Sequence, residues 1–187
     1  MRGKLFILSG PSGVGKGTVR EQIMKDASLN LAYSISVTTR KPRDGEQDGV
    51  QYYFVSEEKF EELVAQNKLL EYAKFVGNYY GTPKEKVDEI LDSGRNLLLE
   101  IEVQGAKQVI SKCPEAITIF MIPPSIEELE HRIRGRRSEP EEVVQQRLNK
   151  AKSEMKLVKN YKHVVVNDTV ASASAAIIDI IKKETNN

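Results

Sequence analysis

A glycine-rich segment near the N-terminus, Gly10 to Thr18, restricts the fold of this chain more than any other feature of its sequence. It follows the apolar run Leu5–Leu8 and precedes a helix-compatible stretch from Val19 to Lys25. Strand, glycine-rich loop and helix in this order form a P-loop, whose backbone N–H groups and helix N-terminus point at phosphate oxygens. The predicted phosphate-binding residues are Gly10, Pro11, Ser12, Gly13, Val14, Gly15, Lys16, Gly17 and Thr18.

Lys16, which follows the last glycine of the loop's curve, is expected to reach the β- and γ-phosphates of a nucleotide. The alternative is a tight turn without a ligand, but such a turn needs one glycine, and three precede this lysine. Gly17 stands where serine or threonine usually follows the lysine, and the hydroxyl comes at Thr18. The way in which Mg²⁺ is held is therefore open, with Thr18 as a candidate.

The length and charge of the chain limit its class. Its 187 residues are enough for one well-cored domain, and a net charge of +1 argues against a surface that binds nucleic acid or an anionic membrane. Cys113 is the single cysteine, which excludes an intrachain disulfide, and no apolar run approaches the length of a signal sequence or membrane span. We therefore expect a soluble, cytoplasmic protein.

Strand-like and helix-like segments alternate along most of the chain. Four short apolar runs have the unbroken hydrophobic character of strands buried on both faces. They are Lys4–Ser9, Asn96–Ile101, Ala116–Ile122 and His163–Val166. The stretches between them have helical periodicity, and the segments beginning at Thr82 and Ser125 both match a capping box. The pattern predicts an α/β fold of three layers around a central parallel sheet.

Two regions interrupt this alternation. Residues 32–83 are rich in tyrosine, threonine and period-two patterns, which predicts a small insert with a mixed or antiparallel sheet. Residues 126–150 include a charge-dense segment with few core residues, which predicts a mobile flap. The core is then formed by residues 1–31, 84–125 and 151–187.

The insert carries two arginines at a spacing that suits phosphate binding. Arg40 and Arg43 flank a proline-stiffened turn, and Tyr52 and Tyr80 follow in the same segment. Paired guanidinium groups clamp a phosphate through charge-assisted hydrogen bonds, and tyrosine hydroxyls complete the shell. A solvated basic loop is the alternative. Glu71, in an apolar strand-like run, lies either in such a site or on the solvent face.

Together these motifs resemble those of the guanylate kinase family, in their order and spacing, from Gly3 to Ile181. The segments that carry the resemblance are Gly10–Thr18, Ser36–Arg43, Gly77–Gly81, Glu102–Gly105 and Ile122–Ser125. The resemblance implies a P-loop NTPase core with a GMP-binding insert and a helical lid. It also implies the reaction ATP + GMP giving ADP + GDP, dGMP as a further acceptor, and Mg²⁺ as cofactor.

The resemblance assigns roles to residues of the insert. The residues expected at the GMP phosphate are Arg40, Arg43, Tyr52 and Tyr80. Those expected to read the guanine are Ser36, Glu71 and Thr82. Thr82 has a rival role, since its hydroxyl also fits a helix N-cap.

Two glutamates follow the apolar run that begins at Asn96. Glu100 and Glu102 lie at the carboxyl end of a strand, where α/β proteins place their active sites, and the family usually has aspartate at one or both positions. We assign Glu100 to the acceptor and Glu102, through water, to Mg²⁺ together with Thr18. An ion pair with Lys16, or a cap on the next helix, is the alternative role.

The charge-dense segment contains the third group of candidates, which are Arg132, Arg136 and Arg147. By resemblance they belong to the lid, close over the triphosphate and neutralise the transferring phosphoryl group. A nucleic-acid patch is the alternative, but the interleaved glutamates would repel a phosphate backbone. Arg137 stands where the family often has glycine.

Asn167 is expected beside the adenine, or else simply in a turn.

Direct in-line transfer requires no covalent intermediate, so catalysis is expected from positioning and charge neutralisation. Two other functions compete. A guanylate-kinase-like protein-binding module without catalysis would have a degraded P-loop, whereas Lys16 and the glycines are intact here. A kinase of another small phosphate acceptor would share the arginine clamp, so only the base-reading residues discriminate it.

Overall fold

The computed structural model describes residues 1–75, 77–135 and 140–186. Its strands are β1 (Leu5–Ser9), β2 (Leu31–Tyr33), β3 (Ser36–Thr38), β4 (Tyr52–Phe54), β5 (Leu69–Phe75), β6 (Asn78–Pro83), β7 (Asn96–Glu100), β8 (Ile117–Ile122) and β9 (His163–Val166). Its α-helices are α1 (Lys16–Ile23), α2 (Glu57–Ala65), α3 (Lys84–Asp92), α4 (Val103–Lys112), α5 (Ile126–Gly135), α6 (Glu141–Met155) and α7 (Val170–Thr185). None of these helices combines the length and the apolar character that crossing a bilayer requires.

A five-stranded parallel sheet, in the order β2-β7-β1-β8-β9, forms the centre of the fold. Alternate residues of β1 face opposite sides: Phe6 and Leu8 pack with α1 and α7, and Leu5 and Ile7 pack with α3 and α4. Because helices cover both faces, the strands read as continuous apolar runs. The predicted three-layer α/β fold is confirmed, and the ends of the four predicted strands differ by at most one residue.

A second sheet, in the order β4-β3-β6-β5, lies between β2 and α3 along the chain. It is mixed, since β3 pairs in parallel with β4 but antiparallel with β6. Phe60 of α2 packs onto Val37 and Leu69 to give this sheet its own small core. Strand β2 was not predicted: Leu31–Tyr33 pairs with β7, so the range 32–83 begins inside a strand of the central sheet.

One of the two predicted capping boxes was wrong. At α5 the Ser125 hydroxyl accepts a hydrogen bond from the Glu128 N–H at 3.1 Å, as expected for an N-cap. Helix α3, however, begins after Pro83 and has no side-chain cap. Thr82 remains in β6, opposite Glu71 of β5, and its hydroxyl bonds to that carboxylate instead.

Candidate active site

The loop between β1 and α1 needs its glycines for both conformation and space. Gly13 and Gly15 have φ values of 85° and 97°, in the left-handed region. A Cβ on Gly13 would lie 2.8 Å from Cγ1 of Ile133, and a Cβ on Gly15 would lie 2.7 Å from Nδ2 of Asn167. The close curl of the predicted P-loop is therefore possible only with glycine at these positions.

Lys16 is held inside the curve of this loop. Its Nζ donates to the carbonyl oxygen of Gly10 at 2.7 Å and to that of Pro11 at 3.4 Å. The side chain is buried, and burial lowers the pKa of the ammonium group, while the carboxylates of Glu102 and Glu100 act in the opposite direction. The loop thus presents a desolvated positive charge at the N-terminus of α1.

Asn167 and Arg132 close one side of the loop. Nδ2 of Asn167 donates to the Val14 carbonyl at 2.7 Å, and Nη1 of Arg132 donates to the Asn167 carbonyl at 3.0 Å. Asn167 is 3% exposed, and its Oδ1 has no hydrogen-bond partner among the described residues. Both side chains line a cavity of ≈ 460 Å³ together with the P-loop. A buried amide oxygen beside the loop is thus left without a partner among the described residues.

Arg147 brings α6 to the same loop. Its Nη2 donates to the Ser12 hydroxyl at 3.4 Å. With Lys16, Thr18 and Glu102 it lines a further cavity, of ≈ 440 Å³. Arg136, the remaining predicted lid arginine, lies outside the described residues, as does Arg137.

The sequence analysis did not identify Arg134, which connects helices α5 and α6. Arg134 donates to Glu130 of α5 at 2.8 Å and to Glu141 of α6 at 2.6 Å. Charge-assisted hydrogen bonds from Arg134 and Gln145 lower the pKa of Glu141 to about 2. Two of the interleaved glutamates, Glu130 and Glu141, therefore pair with an arginine of the same segment.

A cleft of ≈ 440 Å³ collects most of the predicted acceptor residues. They are Ser36, Arg40, Arg43, Tyr52, Glu71, Tyr80 and Glu100. Lys16 lines this cleft as well as the cavity beside Thr18, and so do Glu100 and Glu102. The P-loop lysine therefore stands where the two spaces meet.

Glu46 holds the Arg40 side chain and the Arg43 backbone, and the sequence analysis missed it. Its carboxylate accepts from Nη2 of Arg40 at 2.9 Å and from the backbone N–H of Arg43 at 2.8 Å. The Arg40 guanidinium also lies over the Tyr52 ring, 5.3 Å from its centroid, and Tyr52 contacts the Tyr80 ring edge-on at 5.9 Å. Arg40 is therefore a positioned group of the cleft wall and not part of a solvated loop. The sequence signal that could have identified Glu46 is an acidic residue three positions after Arg43.

Glu71 faces the interior and not the solvent. It is 6% exposed, and its Oε1 accepts a hydrogen bond from the Thr82 hydroxyl at 2.6 Å. Burial raises the pKa of this carboxyl, and the bond from Thr82 and the charge of Lys112 oppose that rise. The solvent-face alternative is therefore excluded, as is the helix-capping role of Thr82.

Glu100 and Glu102 each have a cationic partner. Oε2 of Glu100 lies 3.2 Å from Nη1 of Arg20, and Oε2 of Glu102 lies 3.3 Å from Nζ of Lys150. Within the described residues neither carboxylate forms an ion pair with Lys16, and Glu102 makes no side-chain cap on α4. Both structural alternatives for these acids were wrong.

Arg20 is a further cleft residue that the sequence analysis missed. It lies one helical turn after Lys16, and its guanidinium sits over the Tyr33 ring at 4.6 Å from the centroid. Burial raises the pKa of Glu100, and the charges of Arg20 and Lys16 oppose that rise. Arg20 thus connects the P-loop helix to the acid at the end of β7.

The donor set fits a cation that relies on few protein ligands. In residues 1–75, 77–135 and 140–186, no group of three or more histidine, cysteine, aspartate or glutamate side chains is arranged to hold a metal ion. Mg²⁺ at nucleotide sites keeps several waters and binds substrate phosphates, with one or two protein oxygens. Thr18 and Glu102 line one cavity with Lys16, which suits that mode of binding.

Comparisons with known proteins agree with this geometry. The family model described as guanylate kinase matches residues 2–184. The chain is 55% identical over 183 residues to the guanylate kinase of Listeria monocytogenes serotype 4b (strain F2365), covering 98% of this chain and 89% of that protein. It is 52% identical to the guanylate kinase of Latilactobacillus sakei subsp. sakei (strain 23K), over 98% of this chain and 90% of that protein. The crystal structure of guanylate kinase from Anaplasma phagocytophilum superposes with a TM-score of 0.78 at 32% identity, over 98% of this chain and 86% of that one.

Proposed function

Since the chain belongs to the guanylate kinase family, we propose that it transfers the γ-phosphoryl group of ATP to GMP, and also to dGMP, by direct in-line displacement. The observation that carries the proposal is the position of Lys16, which lines both the P-loop cavity and the arginine-containing cleft. A donor phosphate on the loop and an acceptor phosphate in the cleft would then meet at one desolvated cation.

The acceptor needs no activation by the protein. An oxygen of the GMP phosphate is already anionic, so no side-chain nucleophile or general base is required. In this proposal Lys16 and the loop N–H groups bind the donor phosphates, and Arg40 and Arg43 bind the acceptor phosphate. When Mg²⁺ is bound, held by Thr18 and, through water, by Glu102, it supplies charge neutralisation at the phosphates.

Base recognition is assigned to the buried end of the cleft. The ionised Glu71 accepts hydrogen bonds from N1–H and the 2-amino group of guanine. The Thr82 hydroxyl orients this carboxylate through its hydrogen bond to Oε1. Ser36 lines the same cleft. Adenine presents a lone pair at N1, which the carboxylate repels, so the pocket discriminates against AMP.

The remaining residues serve the donor side. The amide oxygen of Asn167 is assigned to the adenine of ATP, since it is buried and has no partner among the described residues. Arg132 and Arg147, which already contact the P-loop or its neighbour Asn167, are assigned to charge neutralisation in the closed state. Arg136 is assigned the same role from its place in the sequence.

One assay tests the proposed reaction directly. ADP release from ATP would be measured with GMP, dGMP, AMP, UMP, dTMP and CMP as acceptors, with and without Mg²⁺. We expect GMP to give the highest specificity constant, with dGMP next, and no turnover without Mg²⁺. A higher specificity constant for AMP or a pyrimidine nucleotide would contradict the acceptor assignment, and the absence of turnover with every acceptor would favour a binding module.

Replacing Arg43 by alanine is expected to raise the KM for GMP about tenfold or more, because one charge-assisted hydrogen bond to the phosphate contributes about 1.5–3 kcal/mol. The KM for ATP should change little. Steady-state kinetics with each substrate varied separately check this, and Lys41→Ala, an exposed neighbour in the same loop, is the matched control. A rise in the KM for ATP alone would contradict the placement of the clamp.

Replacing Arg147 by alanine is expected to lower kcat about tenfold or more while the KM for GMP stays nearly unchanged. Its charge acts on the P-loop side, and preorganised charges of this kind act mainly in the transition state. The exposed Lys152, on the same helix, provides the control variant Lys152→Ala. If Arg147→Ala instead raised the KM for GMP at constant kcat, the donor-side assignment would be wrong.

A further inference from the structure

One face of α4 holds the strand that carries Glu71. Strand β5 is at the edge of the second sheet, and the Gln108 side chain pairs with it as a neighbouring strand would. Nε2 of Gln108 donates to the Tyr72 carbonyl at 2.7 Å, and its Oε1 accepts from the Tyr72 N–H at 3.2 Å. One turn further on, Nζ of Lys112 donates to the Leu70 carbonyl at 2.7 Å. These bonds fix the backbone on both sides of Glu71.

Gly105 completes this face, three residues before Gln108. It lies inside α4 and has no positive φ, so its backbone conformation does not require glycine. Glycine in a helix interior costs about 0.5–1 kcal/mol relative to alanine. A Cβ at this position would overlap Oε2 of Glu71 and lie 3.1 Å from its Cδ. The Glu71 carboxylate therefore occupies the space that a side chain at position 105 would fill.

We propose that Gly105 is a positioning residue for base specificity: by lacking a side chain it allows the Glu71 carboxylate to lie against α4 and face the acceptor cleft. The proposal rests on the proposed function, in which Glu71 reads guanine. Strand β6 and helix α4 each constrain one oxygen of the carboxylate, because Thr82 of β6 donates to Oε1 while the space at Gly105 receives Oε2. A methyl group at 105 displaces the flexible end of Glu71 and not the backbone.

The test is a double-mutant cycle between Gly105→Ala and Glu71→Ala, read as the GMP/AMP ratio of kcat/KM. We expect Gly105→Ala to lower this ratio about tenfold or more, the scale of one charged hydrogen bond, mainly through the KM for GMP. The KM for ATP should change less than about twofold, because a substitution distant from the ATP site should alter its binding by no more than the usual error of additivity between separate sites. In the Glu71→Ala background, Gly105→Ala should have no further effect, because nothing remains for the methyl group to displace.

Two controls separate this role from a general effect on the helix. Gln104→Ala changes the exposed neighbouring residue of α4 and should leave the ratio unchanged. In the Glu71→Ala background, where no carboxylate is displaced, Gly105→Ala should not lower the thermal midpoint without ligand, since alanine favours the helix. Should Gly105→Ala alone fail to fold, the variant that also carries Glu71→Ala should fold, because the side-chain end that the methyl group overlaps is then absent; failure of both variants to fold would overturn the proposal.

The outcomes distinguish this inference from the proposed function. If Glu71→Ala alone leaves the GMP/AMP ratio unchanged, Glu71 does not read the base and that part of the proposed function fails. If Glu71→Ala lowers the ratio but Gly105→Ala does not, only the role of Gly105 is overturned. Equal effects of Gly105→Ala in both backgrounds would also overturn it, because the methyl group would then act elsewhere.

Discussion

Replacing Lys16 by methionine is expected to lower kcat at least about a hundredfold, since a preorganised charge at the transferring phosphoryl group contributes several kcal/mol. The Lys16 ammonium is buried and held by the carbonyl oxygens of Gly10 and Pro11 at the junction of the two cavities. Methionine fills a similar volume without the charge. Because burial already disfavours the charged form of Lys16, the fold should tolerate an uncharged side chain there.

Single-turnover rates and GMP titrations measure the two consequences separately. GMP binding should survive in Lys16→Met, because the arginine clamp and Glu71 are unchanged. Lys25→Met, at an exposed position just beyond α1, is the matched control and should retain full activity. Near-normal turnover of Lys16→Met, or a loss explained by unfolding in circular dichroism, would refute the assigned role.

The part of the fold that local sequence determines was predictable. Runs such as Asn96–Ile101 have no polar face because both sides of the sheet are covered, and the P-loop glycines are required by the local backbone. Strand β2 was not predicted because three residues at a sheet edge are too few to show the period-two pattern of a strand. Its assignment depends on pairing with β7, which lies more than sixty residues away.

The residues of the site that were missed are recognised only through distant contacts. Arg20 looks like an ordinary helix-surface cation until β7 places Glu100 beside it, and Gln108 looks solvent-exposed until β5 docks against α4. Thr82 was ambiguous because one hydroxyl suits both a helix cap and a cross-strand bond. The buried carboxylate of Glu71 decided between them, since a buried charge without a hydrogen bond is far costlier than an uncapped helix at the surface.

Replacing Glu71 by glutamine is expected to lower the specificity constant for GMP about 10- to 150-fold, because one hydrogen bond to a charged group contributes about 1.5–3 kcal/mol. The amide keeps one acceptor but loses the negative charge and points a donor at guanine's own donors. AMP should lose much less, since its N1 lone pair no longer meets a carboxylate. The measurement is the GMP/AMP ratio of specificity constants in the wild type and the variant, and an unchanged ratio would mean that Glu71 does not read the base.

The pH dependence of the same ratio tests whether the ionised form of Glu71 is the one that reads guanine. Burial raises the pKa of Glu71, so the carboxylate is present above that raised pKa and is lost as the pH falls through it. GMP and AMP carry the same phosphate, whose titration cancels in the ratio, so a fall of the ratio at acid pH reports on the base site. The hydroxyl of Thr82 and the charge of Lys112 are the groups that face Glu71, and both act against the rise of its pKa. In Glu71→Gln the ratio should be low and independent of pH; a wild-type ratio that stays constant down to the acid limit of stability would contradict recognition by the carboxylate.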